Sequence, residues 1–108
     1  MNAYRPCTAT PVASGTGDAQ GVAAASGLRL MGYSARESAG SAAAADFNLR
    51  HGDGNGDPLL VVGELAANGS DVRWLGPQGL ACPDGVWVER VSGSSEFVLY
   101  TLATPGNL

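Results

Sequence analysis

The sequence predicts an all-β protein, an antiparallel sandwich or barrel, and three observations support this prediction. Short segments rich in β-branched and aromatic residues recur about every 8–12 residues. Clusters of Gly, Asp, Asn, Ser and Pro separate these segments, as turns do in antiparallel sheets. No segment gives a convincing helix pattern. We therefore expect strands joined by turns along the whole chain.

The clearest strand signal lies in Gly85–Tyr100 and predicts a β-hairpin. Val86–Val91 and Phe97–Leu102 are rich in β-branched and aromatic residues, and Ser92–Ser95 between them has turn chemistry. Alternation gives the first strand at least one core face. Its two faces carry, respectively, Val86 with Val88, and Trp87 with Glu89 and Val91.

Length, charge and hydropathy restrict the classes of function. The chain has 108 residues, enough for one domain with a thin core. Its net charge is −4 at pH 7, and its six basic residues are all arginines, so the basic surface of a nucleic-acid-binding protein is missing. No apolar run approaches the roughly 18 residues of a membrane span, and residues 1–13 lack a signal-peptide layout. We expect cytoplasmic synthesis, no nucleic-acid or membrane partner, and free thiols at Cys7 and Cys82.

The first part of the chain leaves two interpretations open. Residues 1–26 contain many small residues and little that a core could bury after Tyr4. Alone, such a segment is expected to be flexible. One interpretation is an extended N-terminal arm over residues 1–21, held by the domain's own sheet edge or by a neighbouring chain. The other is a pair of edge strands at Tyr4–Ala13 and Gly21–Ser26. Residues 22–108 then form the β-sandwich domain.

The first strand of this domain is expected within Leu28–Ser38. Alternation places Leu28 and Leu30 on one face of this strand. Gly32 inside the run predicts a bulge or a close approach of two backbones. The opposite face then carries Arg29, Met31 and Tyr33.

Further strands follow to the end of the chain. Ala42–His51 contains four consecutive alanines, which favour a helix, but its alternation favours a strand. Leu59–Leu65 is apolar enough for a buried strand, and Asn68–Gly69 has the sequence of a turn that returns the chain. The remaining short strands are expected at Asp71–Leu75, with Val72 and Trp74 on one side, and at Leu80–Cys82.

The acidic loop His51–Pro58 suggests a metal site. Asp53, Asn55 and Asp57 stand at alternate positions and Glu64 stands eleven residues after Asp53, which matches the ligand spacing of a calcium loop. Against this, Pro58 occupies the position of the required glycine, and a strand follows where that motif has a helix. A plain Gly/Asp/Asn turn explains the same residues, and we expect no bound metal.

Catalysis has weak support in the sequence. His51 is the single histidine, and no nucleophile-elbow pattern nominates a serine or cysteine beside it. An enzyme of this sequence would need a pocket that gathers His51 with carboxylates. We expect a non-enzymatic protein without a cofactor.

The arginines lie within the expected strands and are not clustered. Strand-borne arginines that alternate with apolar residues suit a sheet face or edge that docks on an acidic partner. They are equally consistent with ordinary exposed strand positions. The residues concerned are Arg29, Arg36, Arg50, Arg73 and Arg90.

Several motifs occur in a fixed order between about residues 22 and 101. A strand-turn-strand opening at Ser26–Ser38 is followed by Phe47–Arg50, then by Gly-Pro-Gln-Gly-Leu at Gly76–Leu80 and Gly-Val-Trp-Val at Gly85–Val88. This order resembles the small β-sandwich virion proteins of tailed bacteriophages. The resemblance implies a structural part of the particle and a β-sandwich, expected to be jelly-roll-like with an extended N-terminal arm.

The resemblance also implies the role and the partners. The first expectation is a capsid decoration (cement) protein on the virion surface, which binds the major capsid protein and copies of itself as a homotrimer or at a symmetry axis. The alternative is a tail, fibre or baseplate-associated module that binds a host receptor or glycan. The partner-binding residues expected are Tyr4, Arg5, Arg29, Arg36, Arg73 and Trp74.

Overall fold

The computed structural model describes residues 7–103, which form two packed antiparallel sheets. Within that range no helix is long and apolar enough to cross a membrane. The strands are β1 (Thr8–Gly15), β2 (Ala19–Val22), β3 (Arg29–Glu37), β4 (Ala45–His51), β5 (Leu59–Leu65), β6 (Ser70–Trp74), β7 (Leu80–Ala81), β8 (Val86–Ser92) and β9 (Ser95–Leu102).

The strand order is that of a jelly roll. Sheet A has the order β1-β9-β3-β6, with the short β7 paired to β3, and sheet B has the order β2-β8-β4-β5. The pairs β1–β9, β2–β8, β3–β6 and β4–β5 are the rungs of one long antiparallel hairpin. The pairs β3–β9 and β4–β8 form where this hairpin rolls up on itself. The predicted all-β sandwich, including its jelly-roll character, is confirmed.

The predicted hairpin of β8 with β9 is wrong in its pairing, although both strands exist. β8 lies in sheet B between β2 and β4, and β9 lies in sheet A between β1 and β3. The chain crosses between the sheets at Gly93, which has φ 73°. The Asn68–Gly69 turn likewise connects β5 in sheet B with β6 in sheet A. A turn that allows positive φ suits a crossing between sheets as well as a hairpin, so local sequence does not distinguish them.

The core lies between the sheets and includes three aromatic rings. Phe47 packs edge-to-face against Tyr33 and Phe97, with ring centroids 5.7 and 4.8 Å away. Val86 and Val88 point inward from β8, as alternation predicts. The other fully buried apolar side chains include Leu30, Leu49 and Leu99.

A bulge in β3 changes which face its residues occupy. The register of β3 against β9 shifts between Leu30 and Gly32, which confirms the bulge predicted at Gly32. Leu30 points inward before the bulge, and Tyr33 points inward after it with no exposed surface. The prediction that Tyr33 faces away from Leu30 is therefore wrong, because one extra residue reverses the alternation. The second interpretation of Gly32 also holds, since a Cβ there would lie 2.7 Å from the Arg73 carbonyl oxygen.

The outer strands clarify two other expectations. Residues 8–15 and 19–22 are the outer strands β1 and β2 of the two sheets, so edge strands, not a detached arm, describe this part of the first segment. β5 is also an outer strand, and only one of its faces meets the core. The prediction that it is continuously buried is therefore wrong, since Leu59 and Val62 are 52% and 65% exposed.

Two buried charged side chains hold the chain crossings. The Arg90 guanidinium donates hydrogen bonds to the carbonyl oxygens of Ala13, Gly17 and Ser95, and burial lowers its pKa. The Glu37 carboxylate accepts hydrogen bonds from the backbone N–H groups of Asn68 and Ala39, which lower its pKa. Arg90 thus connects the β1–β2 and β8–β9 crossings across one end of the sandwich.

Candidate docking faces of the sandwich

The outer face of sheet A, called the A face below, is mainly apolar. Directly paired residues of antiparallel strands share a side, and the inward direction of Tyr33, Ala35 and Phe97 fixes which side is outer. Val72 and Trp74 lie there together, as predicted, and are 75% and 61% exposed. The other A-face side chains include Ala9, Pro11, Ala13, Ser34, Val98 and Tyr100.

A groove of about 400 Å³ runs along the A face. Ser34 on the central strand β3 forms part of its floor, because this side chain is smaller than its neighbours. Pro11 and Val98 line one side, and Val72 lines the other. The groove is shallow and open, a shape suited to contact with a protein surface rather than to enclosing a small substrate.

Arginines lie at both ends of the β3 part of the A face. Arg36 forms an ion pair with Glu96, and 71% of its side chain remains exposed. Arg29 donates a hydrogen bond to the Gln78 side-chain oxygen at 3.0 Å. Two arginines and one glutamate leave this face with one net positive charge, on a protein whose net charge is −4.

Four of the residues expected to bind a partner lie in strands, and one of these, Arg73, does not point to the A face. It pairs with the inward-facing Tyr33 and lies 3.7 Å from the Asp71 carboxylate. The Tyr33 hydroxyl donates to the same carboxylate at 2.6 Å. Burial, followed by this hydrogen bond, raises the pKa of Tyr33 to about 12.

The outer face of sheet B, called the B face below, has a charged centre. The Glu89 carboxylate accepts hydrogen bonds from Asn48 at 2.8 Å and from Arg50 at 2.9 Å, and these bonds lower its pKa. Asp46 and Glu64 lie opposite each other beyond this group. Asp18 lies beside Glu89 on the same face, so four carboxylates and one arginine give the face three net negative charges. At its β5 margin, Leu59 and Val62 are exposed.

The loop that suggested calcium does not assemble the expected ligands. The Asp57 carboxylate accepts hydrogen bonds from the backbone N–H groups of Asp53 and Gly54 at 2.8 and 3.1 Å. The Asn55 side chain contacts Trp87 and Asp18. Glu64 lies near the far end of β5, opposite Asp46. Between residues 7 and 103, no group of three or more His, Cys, Asp or Glu side chains could hold a metal ion.

His51 lies beside an open polar cavity at this end of the sandwich. Its Nε2 accepts a hydrogen bond from the backbone N–H of Asp84 at 3.1 Å, and the Asp84 carboxylate is 3.5 Å away. The cavity has a volume of about 430 Å³ and is also lined by Asp53 and Asp57.

The two cysteines do not form a disulfide with each other. Cys82 is buried, which raises the pKa of its thiol to about 11, and it is not paired with the exposed Cys7.

Sequence reasoning found three of the A-face residues, namely Arg29, Arg36 and Trp74, but missed the face itself. The signal for it was present in β9, where Val98 and Tyr100 alternate with the core residues Phe97 and Leu99. A strand that is apolar on both sides has a second face to cover. Tyr4 and Arg5, the other expected partner-binding residues, lie outside the described residues.

Searches of protein-family models, curated proteins and solved structures find no match for this chain.

Proposed function

We propose that this chain is a virion structural protein of a tailed bacteriophage, a capsid decoration protein that binds the outer head surface and reinforces the contacts between capsomers. The observation that carries the proposal is that exposed large apolar side chains lie on both outer faces of one sandwich. A decoration protein that ties its neighbours together, copies of itself included, needs two separate contact surfaces on one body, and the A and B faces are suited to this.

Two further features support the proposal. The jelly roll is a fold that viral capsid proteins and lectins use, which is an argument from analogy of fold. Both faces are also built on strands of rigid sheets rather than on loops, and buried side chains such as Arg90 hold the crossings between the sheets. Such a body can transmit force between the subunits that it joins.

Cosedimentation with capsids that lack this protein tests the proposal. We expect saturable binding at a fixed number of copies per capsid. The variant Val72→Asp puts a charge on the A face, where it weakens the contact between one bound copy and its neighbour, and should lower the occupancy at least about tenfold. Ala67→Asp adds the same charge in the exposed turn before β6 and should bind like the wild type. If the wild-type chain stays in the supernatant at about 100 μM, the decoration role is wrong.

A tail, fibre or baseplate-associated module that binds a host receptor or glycan is the second candidate. The observation that favours it is the polar cavity beside His51, where several carboxylates could accept hydrogen bonds from sugar hydroxyls. Host-cell binding by the fluorescently labelled chain tests this function. Asp53→Ala together with Asp84→Ala should abolish such binding, while Val72→Asp should leave it unchanged.

A further inference from the structure

The exposed large apolar side chains form two patches on opposite sides of the sandwich. Val72 and Trp74 form the patch on the A face, and Leu59 and Val62 form the patch on the B face. Val91, the fifth such residue, lies in a bulge of β8. Single exposed apolar residues are ordinary, but pairs on neighbouring positions of one face indicate contact surfaces.

The edges of the sheets are protected against strand pairing with another chain. β1 contains Pro11, β2 has four residues, and β5 has a bulge opposite Leu49–Arg50. β6 turns the charged Asp71 and Arg73 toward the interior side. These are the devices by which proteins prevent edge-to-edge association. A partner of the described sandwich therefore meets its faces, not its edges.

The charges of the two faces decide which faces can meet. The A face carries one net positive charge, from Arg29, Arg36 and Glu96. The B face carries three net negative charges, from four carboxylates and Arg50. Contact between two A faces or two B faces brings like net charges together, whereas contact between an A face and a B face brings opposite charges together.

We infer that the occupant of the A face is the B face of a second copy of this chain. The contact is heterologous, because each copy uses a different face for each neighbour. Repetition of such a contact closes into a ring or continues as a filament. Where the copies close into a ring, the ends of the sandwich are left for the capsid. The inference goes beyond the proposed function and does not depend on it.

The dimensions of the faces predict weak association. Four strands about 4.8 Å apart, each about seven residues long at 3.3 Å per residue, give a face of roughly 450 Å². Stable complexes bury about 800 Å² per partner. A single contact is therefore expected to have a Kd of the order of 10 μM. Ring closure adds a second contact for each copy and strengthens the assembly at high concentration.

Sedimentation velocity of the full chain between about 1 and 500 μM tests the inference. The wild type should show a mass that rises with concentration and falls on addition of about 0.5 M salt. Val72→Asp on the A face and Val62→Asp on the B face should each remain monomeric to about 500 μM, a weakening of at least about fiftyfold. Ala67→Asp is the control of equal charge and should associate like the wild type.

A mixture of the two variants gives the decisive result. Val62→Asp keeps an intact A face and Val72→Asp keeps an intact B face, so the mixture should form a heterodimer and stop at two chains. If Val62→Asp associates by itself, the A face binds another A face and the inference is wrong. It is also wrong if the mixture stays monomeric, or if the wild type is monomeric throughout. Circular dichroism of each variant shows that a loss of association is not a loss of fold.

Discussion

On the B face the central polar side chains bind one another closely, whereas the A face has only a long 3.4 Å contact between the Ser34 and Tyr100 hydroxyls and the exposed Arg36–Glu96 ion pair. Glu89 binds Asn48 and Arg50, and Arg50 also donates to the Asp57 carbonyl oxygen at 2.7 Å. Val72 and Trp74 instead extend into solvent. Both faces come from alternating strands of one domain, so folding alone does not require the difference. The proposed contact with a second copy would account for the exposed apolar side chains of the A face.

The largest expected effect is the loss of stability when a glycine of sheet B is replaced, compared with the same change in sheet A. Gly63 in sheet B faces the core, and a Cβ there would lie 2.2 Å from the Phe47 ring, which Tyr33 and Phe97 hold in place. Gly63→Ala should therefore lower the free energy of unfolding by about 3 kcal/mol. Thermal denaturation followed by circular dichroism should show a fall in Tm of about 12–24 °C.

Gly32→Ala is the matched change in sheet A. Its Cβ would meet the Arg73 carbonyl oxygen at 2.7 Å and the Trp74 ring at 3.2 Å. The outer strand β6 can shift toward solvent, so we expect a loss of about 1 kcal/mol. A loss as large as that of Gly63→Ala would show that sheet A is packed as firmly as sheet B.

The next largest effect is the loss of stability when the ion pair on each outer face is removed. Both side chains of Arg50–Glu89 are 18% exposed, whereas Arg36 in the A-face pair is 71% exposed. Glu89→Ala removes the acceptor of Asn48 and Arg50 and should cost about 1–2 kcal/mol in chemical denaturation. Glu96→Ala should cost less than about 0.5 kcal/mol. Equal costs would contradict the view that the polar contacts of the B face stabilise the fold more than those of the A face.

The same B-face group makes stability depend on pH. Hydrogen bonds from Asn48 and then Arg50 lower the pKa of Glu89 below its unfolded value. Its contribution is therefore complete above the unfolded pKa of about 4.3 and is lost as pH falls through the folded value. The stability difference between wild type and Glu89→Gln should be largest at pH 7 and shrink below about pH 4. A difference that stays constant down to pH 3 would exclude this linkage.

The sequence predicted the strands far better than their pairing. Alternation and turn residues placed β4, β5 and β8 because these signals are local. The partners of β8 and β9 depend on contacts between distant residues, and one bulge at Gly32 was enough to reverse the direction predicted for Tyr33. Arg90 looked like any other strand arginine, since its carbonyl partners come from separate parts of the chain. The A and B faces escaped prediction for the same reason, because each combines residues from several strands.

The smallest expected effect on stability comes from two valine-to-threonine variants, which distinguish a role in folding from a role in association. Val72→Thr and Val62→Thr keep the shape and the strand propensity of valine while replacing one methyl group with a hydroxyl. Both positions are more than half exposed, so the free energy of unfolding should change by less than about 0.5 kcal/mol. Contact between the A and B faces would nevertheless bury that hydroxyl and weaken association about threefold to tenfold in sedimentation velocity. Reduced stability with unchanged association would show that these valines serve the fold. Unchanged stability with weakened association would show that these valines, which are exposed in the single chain, are covered by a second copy.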